Sequence, residues 1–179
     1  NTQFIKESLD CKHIHFDSAW VPYTNFNRIY EGKCGMSGEA MPGKVFYETQ
    51  STHKLLADLS QASMIHVRDG RRPIEHSRFN EAFMMHASTS PNYAIIASND
   101  VSAAMMDGPG GAALTGDSIR EAIAFRQLLA RISAEFAAKG DWFFDVWQPD
   151  LVTEVNGGVT RPFHAADAEQ LATDASCWV

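Results

Sequence analysis

The sequence predicts an α/β domain. Short runs of β-formers bounded by turn residues fill its first half, and stretches with apolar residues every three or four positions fill most of the second. Its 179 residues, 45% of them hydrophobic, suit a single domain with a core of ordinary size.

The first strand is "HIHFDSAW" (13–20), where Ile14 and Phe16 alternate with His13, His15 and Asp17. The period of two puts those three polar residues on one face. Residues 31–44, "EGKCGMSGEAMPGK", hold four glycines and a proline and read as a loop. "VFYETQ" (45–50) is the second strand and "ASMIHV" (62–67) the third. "VRDGRRPIEHS" is a surface connection, and Arg68, Arg71, Arg72 and Arg78 are its solvated charges.

From Ser90 and Pro91 the spacing turns helical, with Ser90 as N-cap and Pro91 as the first helical residue. Tyr93, Ile96, Ala97, Val101, Ala104 and Met105 form its apolar stripe, and Asp107-Gly108-Pro109-Gly110-Gly111 ends it. A longer helix is expected from about Asp117, burying Phe125, Leu128, Leu129, Ile132 and Phe136, and closing at Lys139-Gly140. "WFFDVWQP" (142–149) reads as another strand. Residues 1–150 thus form the domain proper, and 151–179, rich in Gly, Ala and Asp, form an irregular continuation.

Composition excludes several classes. No run of about 20 apolar residues is present to span a bilayer. The net charge of −7 comes from scattered acids, which argues against a nucleic-acid partner, since phosphate binding needs a clustered basic face. Cys11, Cys34 and Cys177 are odd in number, widely spaced and without a CxxC, so a thiol-reducing cytoplasm is expected. The first residues lack an initiator Met and a signal-peptide layout, and the last break off on an apolar note, so a piece of a longer protein is expected.

The stretch that asks for chemistry is "VFYETQSTHKLLADLSQASMIHV" (45–67), which carries Lys54 into a polar knot between two apolar runs. A lysine after a strand is ordinarily a solvated turn residue. Here both flanks are apolar, the preceding Ser51, Thr52 and His53 are donors suited to an anion, and Asp17 stands at the end of another strand. Ligands of open α/β sheets collect at such strand ends. These are the parts that pyridoxal phosphate requires: an amine to condense with its aldehyde, a carboxylate to keep its pyridine nitrogen protonated, and donors for its phosphate. His13, His15 and Asp17 could instead ligate a metal, but no fourth ligand and no HExxH accompany them, so no metal is assigned.

The wording of the motifs is more specific than their spacing. "FDSAWVPYTNF", "GKCGMSGE", "ETQSTHKLLA", "SQASMIHV", "NEAFMMHASTSP" and "WFFDVWQPD" together resemble the bacterial biodegradative lysine/ornithine/arginine decarboxylases, densely from about residue 14 to 150. The resemblance implies a fold-type-I pyridoxal-phosphate enzyme, of which this chain is the second half of the large cofactor-binding domain. Lys54 then matches the Schiff-base lysine, and Asp17 the pyridine-nitrogen partner. Ala19 matches the small residue under the ring, and Trp20 the indole near the 3-hydroxyl. Ser51 and His53 match phosphate-side ligands, and Ser88 a hydroxyl offered to the phosphate in the neighbouring subunit.

The resemblance further implies a homodimer with shared sites, which can assemble into a decamer. Its substrate is a basic amino acid, with lysine to cadaverine first, arginine to agmatine second and ornithine to putrescine third. Some members bind a guanosine alarmone through basic residues, but Asp107 stands where one is expected, so that control is not carried over. The ring-stacking histidine and an upstream phosphate loop lie outside the chain, so this piece is expected to be silent alone. The reading from another class is a non-catalytic folding or assembly unit.

Overall fold

In the computed structural model, which describes residues 2–70, 73–155 and 158–178, the first strand is β1 (His13–Asp17). It pairs in parallel with β2 (Val45–Gln50), which pairs antiparallel with β3 (Met64–Arg68), in the order β1-β2-β3. The expected alternation holds in β1: Ile14 is buried while His13, His15 and Asp17 are exposed on the opposite face. On β2 the inward face carries Phe46, Glu48 and Gln50, all buried. Burying Phe46 stabilises the sheet by about 1.5–3 kcal/mol.

Contacts divide the chain into two compact units, Asn1–Phe26 with Tyr30–Gly110, and Asn27–Ile29 with Gly111–Val179. That division falls inside the stretch read from the sequence as one domain to residue 150.

In the first unit, α1 (Thr2–Ser8) precedes the sheet, and α2 (Thr52–Leu55) follows β2. The expected surface connection is shorter than its sequence suggests. Arg68 ends β3 and Arg78 lies in α3 (His76–Met84), while Arg71 and Arg72 fall outside the described residues. The next helix, α4 (Tyr93–Met106), starts two residues later than expected, because Asn92 is the N-cap and its side chain accepts from Ala94 N–H at 3.0 Å. Its expected stripe is a correction as well: Tyr93, Ile96, Val101 and Met105 stand exposed, and Ser102 and Met106 are the buried positions.

In the second unit the long helix α5 (Pro109–Phe136) begins at Pro109, well before Asp117. Proline loses nothing at a first helical position, where its missing N–H would have no partner, so this Pro starts a helix rather than only ending one. The buried stripe is Gly111, Thr115, Ile119 and Ile123, at spacings of four, and not the expected one: Phe125 and Leu128 are exposed. Gly140, at φ 76°, ends the short 3-10 turn that follows α5, as expected.

Residues 142–149 form no strand; Phe143 and Trp147 stand exposed. A run of β-formers needs a neighbouring backbone to pair with, and none pairs with this one among the described residues. The tail is not irregular. It holds the hairpin β4 (Leu151–Thr153) and β5 (Thr160–Pro162), then α6 (Ala168–Thr173), capped by Asp167. Gln127 donates to the carbonyls of Phe163 and Ala166, and Arg120 forks onto Glu169 at 2.9 Å, which ties this tail to α5.

Candidate functional site

Because β1 and β2 run parallel, their C-terminal ends share one edge of the sheet. Asp17 closes β1 in register with Thr49, and Ser51 to Lys54 follow β2 directly. The Lys54 Nζ lies 4.9 Å from the centroid of the Trp20 ring, so the segment after β2 turns back over the residues that leave β1. A cation over an indole face contributes about 0.5–1 kcal/mol at an exposed position, and Trp20 is 62% exposed.

Asp17 is exposed, and its Oδ1 accepts from the Ala19 N–H at 3.1 Å. That bond orients the carboxylate, and no hydrogen bond to its second oxygen is found among the described residues. Ser18 N–H donates to Thr49 O at 2.9 Å, which continues the ladder one residue past the strand. Lys54, Trp20, Asp17 and Ala19 are thus gathered at one edge.

A four-residue helix such as α2 cannot hold itself, because a first turn fixes several residues for one hydrogen bond. Side chains from elsewhere anchor it. Buried Thr52 donates from Oγ1 to Asn99 Oδ1 at 2.7 Å, His53 donates from Nδ1 to Ala62 O at 2.7 Å, and Leu59 N–H donates to Ser98 Oγ at 3.2 Å. Ser51 is the N-cap, yet its hydroxyl makes no capping bond. Ser88 sits on the exposed turn between α3 and α4, where its Oγ accepts from Ser90 N–H at 3.1 Å. No hydrogen bond joins it to the Lys54 group among the described residues.

On the exposed sheet face, Tyr47 OH lies 3.3 Å from His13 Nδ1 and Thr49 Oγ1 lies 3.0 Å from His15 Nε2. These two histidines, to which the sequence assigns no metal, are engaged with hydroxyls of β2. A cleft of about 570 Å³ opens beside them, lined by His15, Thr49 and Ile65 of the sheet and by Phe83 and His86.

Two groups with perturbed chemistry escape a reading of the sequence. Glu48 is fully buried. It accepts from Met36 N–H at 2.8 Å, from the Cys34 thiol at 3.2 Å and from Gln50 Nε2 at 3.4 Å. Burial works against its charge, but the bonds from Ser18, Cys34, Gln50 and Met36 outweigh it and hold the carboxyl below its ordinary pKa. Burial pushes the Cys34 thiol up, which keeps it a donor.

The second group is Lys6, also fully buried, whose Nζ donates to Ser37 O and lies 4.6 Å from the Phe46 ring centroid. Burial, then the nearby Arg68 charge, lower its pKa, against the pull of Cys34 and Glu48. The signal for Glu48 was present in the alternation of β2, which puts it on the face of Phe46. The signal for Lys6 was not, since nothing in α1 marks which face turns inward.

Residues 1–178 match the protein family described as Orn/Lys/Arg decarboxylase, major domain. The lysine decarboxylase of Hafnia alvei is 60% identical over 155 residues, 87% of this chain and 20% of that protein. The biodegradative arginine decarboxylase of Escherichia coli K12 is 52% identical over 168 residues, 93% of this chain and 22% of that protein. The solved structure of the E. coli constitutive lysine decarboxylase superposes with a TM-score of 0.71 at 51% identity, covering 88% of this chain and 21% of that one. The chain thus spans about a fifth of the length of these relatives.

Proposed function

This chain belongs to the Orn/Lys/Arg decarboxylase family, and on that premise we propose that it supplies the lysine-bearing part of a pyridoxal-phosphate site. The protein it comes from then decarboxylates L-lysine to cadaverine and CO₂. The observation that carries this reading is the Lys54 amine over Trp20 at the edge where Asp17 ends β1. The residues fit the cofactor: one amine, one carboxylate, a Ser51 hydroxyl that makes no capping bond and an anchored imidazole. In fold-type-I enzymes of this kind the cofactor, when bound, supplies the sink for the electron pair left at Cα as CO₂ departs.

Each residue then has a task its surroundings prepare. Lys54 would supply the amine that holds the cofactor through its aldehyde, and Trp20, its ring centroid 4.9 Å from Nζ, would orient that amine. Asp17, oriented by Ala19 N–H, would hold the cofactor's pyridine nitrogen. Ala19 leaves room under the ring. Ser51 donates to the phosphate. His53, held by its Nδ1 bond to Ala62 O, would present the rest of its ring on the phosphate side.

Lysine is the first substrate because the relative named a lysine decarboxylase is 60% identical, against 52% for the one named an arginine decarboxylase. Arginine is the second, ornithine the third. The test is the full-length protein given pyridoxal phosphate and each amino acid in turn, with amine and CO₂ measured. Cadaverine is expected to dominate; putrescine as the main product, or no CO₂ from any of the three, overturns the reading.

Ser88 carries the proposed sharing of sites within a homodimer. Asn92 caps α4, so the Ser88 hydroxyl on its exposed turn is not needed for that task. Exposed on the turn before that cap, the hydroxyl is open to an anion brought by a second subunit. In the full-length protein, Ser88→Ala is expected to weaken cofactor retention without lowering Tm. Mixing Ser88→Ala with Lys54→Ala subunits should rebuild one normal site per heterodimer, taking its lysine from the first and its hydroxyl from the second. Mixtures that regain no cofactor affinity would place Ser88 outside any shared site.

A further inference from the structure

We infer that Ser98 and Asn99, consecutive residues of α4, are positioning residues for Lys54: they hold the chain on both sides of the lysine and fix where its amine stands. The inference rests on the reading of Lys54 as the amine that holds the cofactor.

Thr52, just before Lys54 in the chain, donates from Oγ1 to Asn99 Oδ1 at 2.7 Å. Leu59, beyond the lysine, donates its N–H to Ser98 Oγ at 3.2 Å. Between these two ties the segment closes on itself. His53 donates to Ala62 O from both its N–H, at 3.4 Å, and its Nδ1, at 2.7 Å, while Ala62 N–H donates to Leu59 O at 3.1 Å. Gln61 stands at φ 76° in that turn, a left-handed backbone that a residue with a side chain keeps only where its surroundings hold it. Lys54 thus sits on a closed loop whose two limbs are both fastened to α4.

The loop cannot supply that rigidity itself. Its helix α2 has four residues, whereas α4 has 14 and a side-chain cap from Asn92. The Ser98 hydroxyl donates to Ile95 O at 2.7 Å, which leaves its lone pairs to accept from Leu59 N–H. Thr52 is fully buried and opens α2, so its hydroxyl has no preceding helical turn to bond and must find its acceptor elsewhere. One outside acceptor satisfies it. The second tie, from the neighbouring residue of α4 to the far limb, does more, because two ties on opposite sides of Lys54 remove the hinge motion that a single tie leaves. Reacting groups misplaced by about 1 Å lose on the order of a hundredfold in rate, so ties of this kind act on turnover more than on substrate affinity.

The test uses the full-length protein at saturating pyridoxal phosphate. Asn99→Leu keeps the size of the side chain but removes the acceptor, and is expected to lower kcat by about tenfold or more with KM for lysine unchanged. Asn99→Asp keeps an acceptor in the same place and should retain most of kcat. Thr52→Val removes the other half of the same bond; it should lower kcat in the same sense, and combining it with Asn99→Leu should cost no more than Asn99→Leu alone. Ser98→Ala frees the far limb and should lower kcat as well. In the cofactor-free protein, amide exchange from His53 to Ala62 should quicken in Asn99→Leu, Thr52→Val and Ser98→Ala, a readout that does not depend on the reaction.

Normal kcat in Asn99→Leu or in Ser98→Ala overturns the proposal even where Tm falls, because the ties then serve stability alone. A lowered kcat with unchanged exchange overturns it too, as does a loss in Asn99→Asp equal to that in Asn99→Leu. If Asn99→Leu does not fold, Thr52→Val and Ser98→Ala decide by the same two readouts. Failure of the underlying reading has a separate sign: borohydride would leave no pyridoxyl label on Lys54 of the unmutated protein. A normal label there, together with normal kcat in the variants, ends this inference and leaves that reading standing.

Discussion

Lys54→Ala in the full-length protein removes decarboxylation, with kcat expected to fall by about a thousandfold or more, because both the covalent attachment and the held geometry are lost together. Borohydride reduction of the unmutated protein, followed by peptide mapping, should place the pyridoxyl label on the peptide that contains Lys54. Two of the rival amines are already committed. Lys44 Nζ donates to the carbonyls of Lys6 and Leu9, and Lys6 donates to Ser37 O from a fully buried position. Lys6 has the perturbed pKa that often marks a functional amine, yet its geometry leaves it no open side from which to attack a ligand. A label on Lys6, Lys33 or Lys44 would move the site elsewhere in the sheet and end the present assignment.

Asp17→Asn separates holding the cofactor from using it. The amide keeps the size of the carboxylate and can still accept from Ala19 N–H, so the turn after β1 should survive. What is lost is the negative charge that keeps a pyridine nitrogen protonated. The expected outcome is a Lys54 label of normal stoichiometry with kcat lowered by about 10²–10³, the range seen when one preorganised electrostatic partner is removed. Turnover near that of the unmutated protein would show that the carboxylate at the end of β1 faces something other than a charged ring.

Both substitutions sit at residues legible in the sequence, and the reason is the same for each. Asp17 ends a run of strict two-residue alternation, and Lys54 interrupts two apolar runs, so each is marked by its neighbours in the chain. The helix bounds were less legible. Asn92 displaced Ser90 as cap because either residue type can supply the acceptor, and local sequence does not rank two capping residues this close together. The stripe of α5 was misjudged because apolar residues lie on more than one of its faces. Gly111 and Thr115, which are buried, look unlike core residues until a neighbour approaches them closely.

The sequence by itself determined the α/β class, the three strands of the first sheet and the family, and it marked Lys54 and Asp17 as the candidates. These depend on period, composition and wording, all local in the chain. The tertiary structure alone decided that Glu48 joins Gln50, Cys34 and Met36, that Asn99 holds Thr52, and that Lys6 is buried. Partners 12 to 47 positions apart, such as Met36 with Glu48 and Thr52 with Asn99, meet only when strands and helices pack. Burial then turns an ordinary surface residue type into a constrained charge, because a carboxylate or ammonium removed from water must find its donors and acceptors in whatever the fold has brought beside it.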